Sequence, residues 1–174
     1  MSYSNAFAQT GCDTILWSSA KKLGISDFKD VADTGKTMIA FTMTKFGYKV
    51  FPQEASVIIN TSTYFFPCGS WLNKSNIKNS IAHELLHFDI AEYHKRLFLK
   101  RVSETQSSQD MFATTTKAIF RDVADQRRAM NMEYDKQTNN GQNEQEQNKW
   151  NTKIANLLAD VEKYAINTIT INLK

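Results

Sequence analysis

From Ile77 to Val102 the chain contains neither proline nor glycine, and inside this stretch stands His83-Glu84-Leu85-Leu86-His87. An uninterrupted run of this kind predicts a long helix. Ile77, Ile81, Leu85 and Phe88 mark one apolar stripe along it; Leu86, Ile90, Tyr93 and Leu97 mark a second, and the histidines fall between the two. A helix apolar on more than one side is buried. A buried helix that carries two histidines and a glutamate must find partners for them. Ser75 or Asn76 is the expected N-cap. Lys95, Arg96, Lys100 and Arg101 are expected near the C-terminal end, where cations complement the helix dipole.

Residues i and i+4 share a helix face, so His83 and His87 can address one metal ion while Glu84 stands beside them. The three histidines of the chain all lie between His83 and His94, a clustering that favours a metal over ordinary helix positions. Zinc lowers the pKa of a bound water from 15.7 to about 7, and Glu84 could take the proton as general base. A catalytic zinc site has three protein ligands. A third histidine six residues after the second, the metzincin spacing, would fall on Tyr93. His94 lies roughly 10 Å along the axis from His87, and Glu92 points about 140° away from it. Asp89 and Glu92 therefore suit salt bridges or an outer shell. If a second long helix returns antiparallel to the first, its end brings Glu133, Tyr134 and Asp135 beside His83 and His87. Asp135 is the expected third metal ligand, and Tyr134 either a hydrogen-bond donor to a developing oxyanion or a core tyrosine.

The rest of the 174 residues reads as one α+β domain over residues 12–174, a small antiparallel or mixed sheet in the N-terminal half packed on two or three long helices. Ile15-Leu16-Trp17-Ser18 opens the folded part. Leu23 to Phe28 reads as a strand end or short turn capped at Ser26, and Asp33 to Lys36 as a turn. Thr37 to Phe46 reads as a strand continuing through Gly47 to Pro52, and Ala55 to Phe66 as another. Strand Ala55–Phe66 could bind extended substrate along an edge, but a plain core strand is preferred. Helices are expected over Met111–Glu133 and Gln142–Lys163, with a polar break at Tyr134–Gly141. Thr168 to Leu173 alternates as a final strand.

Net charge is 21 − 18 = +3, too mild to argue for nucleic acid. No apolar run reaches the roughly 20 residues that span a bilayer. Cys12 and Cys68 are either a disulfide of an exported protein or two separate thiols. Ala6-Phe7-Ala8 before Gln9 has the small-x-small pattern that ends a signal peptide, so residues 1–11 are expected to be disordered or a signal-peptide remnant.

Three pieces of the chain together resemble the DUF922 family, bacterial proteins identified as secreted zinc-dependent proteases. They are Trp17 to Phe28 with Ser26-Asp27-Phe28; Ser70-Trp71 followed by His83 to Glu92; and Tyr134-Asp135-x-x-Thr138-x-Asn140-Gly141 through Gln147 and Trp150. The resemblance implies a bacterial, exported, minimal zincin-like domain that binds zinc. It names no substrate. One position departs from the family pattern: Asn140 stands where the third piece usually has histidine, and asparagine is a poor zinc ligand. The leading expectation is a zinc metallopeptidase acting on a peptide or protein substrate, with His83, His87 and Asp135 on the metal, Glu84 as base and Tyr134 as helper. Against it stands a non-catalytic exported binding protein on the same scaffold. A metal serving structure alone is the third reading.

Overall fold

The computed structural model describes residues 12–20, 22–31, 40–72 and 77–173, and side chains from Ser80 onward in the last stretch. The expected cap at Ser75 or Asn76, the turn at Asp33–Lys36, the first residues of the Thr37 strand and the N-terminal residues 1–11 lie outside the described residues.

The chain is α+β. Strands β1 (Ile15–Leu16), β2 (Ala40–Phe41), β3 (Thr44–Pro52), β4 (Ser56–Phe65) and β5 (Trp71–Leu72) precede helices α1 (Ile77–Glu104), α2 (Gln109–Thr138) and α3 (Glu144–Asp160), and β6 (Thr168–Asn172) closes the sequence. In the larger sheet, β4 pairs antiparallel with β3 on one side. On its other side β1 and β6 follow each other, Ile15 facing Phe65 and Thr168 facing Asn60. The small sheet is β2 with β5, Ala40 facing Leu72.

Alternation explains the larger sheet. Val57, Ile59, Thr61, Thr63 and Phe65 of β4 are buried, while the residues between them are partly or fully exposed. Phe46, Val57 and Ile59 pack against Phe98, Leu99 and Val102 of α1 and Phe112 and Val123 of α2. β4 is flanked on both sides, so it is a core strand, and an added substrate strand has no place along it. The strand expected over Thr37–Phe46 is divided. Its end breaks at Thr42 and Met43, where the chain steps from the small sheet to the large one. Met43 N–H donates to Ser70 Oγ (2.9 Å) and Arg127 Nη2 donates to Thr44 O and Oγ1 (2.7 Å each), which pins the step from both sides. The cap expected at Ser26 falls instead on Gly24. A 3-10 turn spans Ile25–Asp27, and the Asp27 carboxylate accepts from Gly24 N–H at 2.7 Å.

α1 and α2 are antiparallel. Arg101 meets Asp122 and Gln126 at one end, His87 meets Asn131 in the middle, and His83 meets Asp135 at the other. α2 runs past the expected break, through Tyr134 and Asp135 to Thr138, because Tyr134 and Thr138 lie one turn apart and both are fully buried. α3 stops at Asp160, short of Lys163, and a 3-10 turn Glu162–Tyr164 follows. Leu86 and Ile90 of α1, Tyr134 of α2 and Trp150 and Ile154 of α3 form a second apolar cluster beneath the histidines. Cys12 and Cys68 form a disulfide. Among the described residues no helix is long and apolar enough to cross a membrane.

Lys95 and Arg96 are not end-of-helix cations, as their sequence position suggested. Both are buried mid-helix against Glu92: Lys95 Nζ and Arg96 Nε each reach Glu92 Oε1 at 2.9 Å, and Thr63 Oγ1 donates to Oε2 at 2.8 Å. Asp89, the other acidic residue expected in an outer role, accepts from Trp17 Nε1 at 2.7 Å.

His94 also sits inside, 1% exposed, with Nδ1–H donating to Ile90 O at 2.8 Å. Burial lowers its pKa from 6.5 to about 4, the Ile90 hydrogen bond opposing in part. The unfolded chain takes up this proton below its ordinary value, the folded one only near pH 4. Stability present above pH 6.5 is therefore lost as pH falls toward 4, by about 3 kcal/mol from this residue. Urea unfolding at neutral pH and near pH 4 measures the loss, and His94→Leu is expected to lack this share of it.

Candidate functional site

The site is assembled by two helices that each present residues at i and i+4. α1 supplies His83 and His87; α2 supplies Asn131 and Asp135. Their crossing brings three donor atoms together. His83 Nε2 and His87 Nε2 are 3.2 Å apart, and Asp135 Oδ1 lies 3.1 Å from the first and 3.0 Å from the second. Donors of a tetrahedral zinc site, with bonds of about 2.0–2.1 Å, stand about 3.3 Å apart. The triangle thus has the size of one face of such a site, and the three residues are a group that could hold a metal ion.

The surroundings fix which nitrogen of each ring is free. His87 Nδ1–H donates to Asn131 Oδ1 at 2.9 Å. His83 Nδ1 faces two oxygens, Gln147 Oε1 at 3.3 Å and Thr138 Oγ1 at 3.4 Å. The Thr138 hydroxyl proton is given to Tyr134 O at 2.7 Å, which leaves its lone pair toward the ring. Gln147 is itself oriented, since its Nε2 donates to Asn151 Oδ1 at 2.9 Å and so turns Oε1 toward His83. With protons on both Nδ1 atoms, both Nε2 lone pairs point at the shared position beside an anionic carboxylate. That donor set fits a divalent cation, and the partners behind the rings are of the kind that orient metal-binding histidines.

The same groups are strongly coupled to one another electrostatically. Burial alone would raise the Asp135 carboxyl, but hydrogen bonds with His83 and His87 hold it well below the usual carboxylate range. Burial would lower His87, and Asp135, Glu84 and Asn131 raise it above its ordinary value instead. Glu84 is 4% exposed, and burial lifts its pKa above that of a free glutamate, against the opposing pull of His87, Thr42 and His83. The Thr42 hydroxyl is buried beside it without a partner of full hydrogen-bond geometry, yet near enough to favour the ionised carboxylate. A cavity of about 180 Å³ opens over these groups, lined by Ala40, Phe41, Thr42, His83, Glu84, His87, Asn131, Asp135 and Asn140.

Of the residues expected from the sequence, His83, Glu84, His87 and Asp135 meet here. Tyr134 does not face the cavity. It is fully buried, its ring stacks on His83 at 4.4 Å, and its hydroxyl, with one proton to donate, lies 2.8 Å from Gln147 Oε1 and 3.1 Å from His83 O. Burial pushes its pKa far up, so it stays neutral. It supports His83 and is not placed to assist an oxyanion. Asn131 and Thr42 were not anticipated, and Thr138 and Gln147 stood only among the positions that carry the family resemblance, with no role at the site. For Asn131 a signal existed: it precedes Asp135 by one helical turn.

No family model, curated protein or solved structure matches the chain. The chemistry therefore follows from the geometry and not from kinship.

Removing one ligand or one orienting partner has different expected costs. If the cluster takes zinc, Asp135→Ala is expected to abolish its stoichiometric binding, whereas Gln147→Ala should weaken it about 10–100-fold. Competition with a chromogenic zinc chelator reads both constants.

Proposed function

We propose that this chain is a zinc-dependent peptidase of minimal zincin type, exported and bacterial as its resemblance to the DUF922 family suggests. The observation that carries the reading is the triangle of His83 Nε2, His87 Nε2 and Asp135 Oδ1 with buried Glu84 beside it, opening into one cavity. A zinc ion held by these three residues would supply Lewis acidity and a water acidified to a pKa near 7. Glu84 then serves as general base. The same carboxyl, once protonated, can hand the proton to the departing amine. Asn131 and Gln147 keep the two rings in one tautomer throughout. The Cys12–Cys68 disulfide is compatible with export.

A second reading, an exported binding protein without turnover, is motivated by Asn140. It lines the cavity at the position where the family pattern has histidine.

The two readings separate on one preparation. Protein loaded with zinc is offered fluorescently labelled casein, and metal is counted by elemental mass spectrometry. The peptidase reading expects one zinc per chain, chelator-sensitive cleavage, and a Glu84→Gln variant that keeps its zinc while losing at least about a hundredfold in rate. Glu84→Gln cleaving as fast as the parent would overturn the mechanism. A parent with neither metal nor cleavage supports the binding protein.

A further inference from the structure

Resting on that reading, we infer that Asn140 is a further catalytic residue, its side-chain amide donating a hydrogen bond to the carbonyl oxygen of the bond being hydrolysed. Hydrolysis of an amide builds negative charge on that oxygen, and a fixed donor aimed at it is commonly a large part of catalysis. Tyr134, the residue expected to supply it, is turned away.

Three side chains other than the metal-binding group and Glu84 bring hydrogen-bond donors to the cavity wall: Thr42, Asn131 and Asn140. The Thr42 hydroxyl lies buried against Glu84 with no partner of full hydrogen-bond geometry. Asn131 has its oxygen fixed on His87 Nδ1, so the orientation of its amide is set by the ring. Among the described residues the Asn140 side-chain amide has no hydrogen-bond partner, and the residue is exposed at the cavity.

The backbone points the same way. α2 ends on Asn139 in the left-handed region (φ 49°), and its N–H is used in capping the helix. One left-handed residue is enough to end a helix. Here a second follows, Asn140 at φ 53°, and then Gly141 at φ 83°. Asn139 and Asn140 are the only non-glycine residues with positive φ among the described residues. Such conformations persist where the surroundings enforce them and cluster at active sites. Asn140 is enforced by its N–H, which donates to Asp135 O at 2.9 Å, and the turn is tied down by Gly141 N–H to Thr138 Oγ1 at 3.3 Å and Asn143 N–H to Thr138 O at 2.8 Å. Asn140 is thus fastened to the backbone of the residue whose carboxylate completes the metal-binding triangle. Asparagine is also among the residues that tolerate this region.

Two variants test the assignment. Asn140→Asp keeps the shape and the tolerance of the left-handed turn and removes the amide donor; Asn140→Ala removes the group. Each is loaded with zinc and compared with the parent for zinc content, casein cleavage, and affinity for acetohydroxamate, a small carbonyl compound that binds zinc sites irrespective of peptide sequence. The expected result is one zinc per chain in all three, kcat down about a hundredfold in both variants with KM little changed, and acetohydroxamate held about tenfold less tightly by Asn140→Ala, the worth of one hydrogen bond. Variants that retain parental kcat and acetohydroxamate affinity, while Glu84→Gln is inactive, overturn the role of Asn140 and leave the peptidase reading standing. A zinc-loaded parent that cleaves nothing overturns both.

Discussion

A helix enclosed by the rest of the protein cannot carry His83, Glu84, His87, Glu92, Lys95 and Arg96 unless each is answered, and most of this structure consists of the answers. Unpaired charge in an apolar interior costs several kcal/mol or more. Toward the sheet and the final turn, Glu92 takes both cations and the Thr63 hydroxyl, and Glu162 supplies the second carboxylate, on Arg96. Toward the start of the helix the groups are two imidazoles and one carboxyl; α2 adds the Asp135 carboxylate, and α2 and α3 supply amide and hydroxyl oxygens to the other side of the rings. The side toward Asp135 is left with lone pairs facing a cavity. The same helix therefore has a balanced half, which is structural, and a half whose donors converge on a point that a cation suits.

The apolar clusters keep these halves apart. Leu86, Ile90, Tyr134, Trp150 and Ile154 lie under the histidines, and Phe46, Ile59, Phe98 and Val123 fill the space between sheet and helices. Tyr134 belongs to both worlds: its ring is core, and its hydroxyl steadies Gln147, which steadies His83. The chain of contacts from Asn151 through Gln147 to His83 means that α3, which contributes no atom to the triangle of donors, still decides how one of its rings is presented.

Much of this was legible in the sequence where the signal was periodic. The Pro- and Gly-free run predicted α1, β-branched and aromatic residues predicted β4, alternation predicted β6, and the antiparallel return of a second helix was enough to bring Asp135 to the histidines. Errors arose where composition stood in for contact. Tyr134 to Thr138 looked like a polar break, but two of those residues are buried one turn apart and carry the helix onward. Lys95 and Arg96 looked like end-of-helix cations because their partner, Glu92, gives no sign in sequence of being buried with them. The direction of the Tyr134 hydroxyl is set by Gln147, thirteen residues later on another helix, and no local pattern encodes it. Asn131 had the right spacing from Asp135, yet spacing alone does not mark an amide as the partner of a ring on another helix.

The pairing of β4 has a consequence for how the molecule comes into being. One edge of this strand is completed by residues 15–16 and by residues 168–172, which meet end to end along it. Closing that edge joins segments separated by most of the chain, the kind of contact that forms late because the intervening loop must first be ordered. During synthesis the central strand waits, half paired, until β6 has left the ribosome. The sheet therefore closes only after all three helices have been made, and until then the free edge of β4 is a row of unpaired backbone groups open to any other strand.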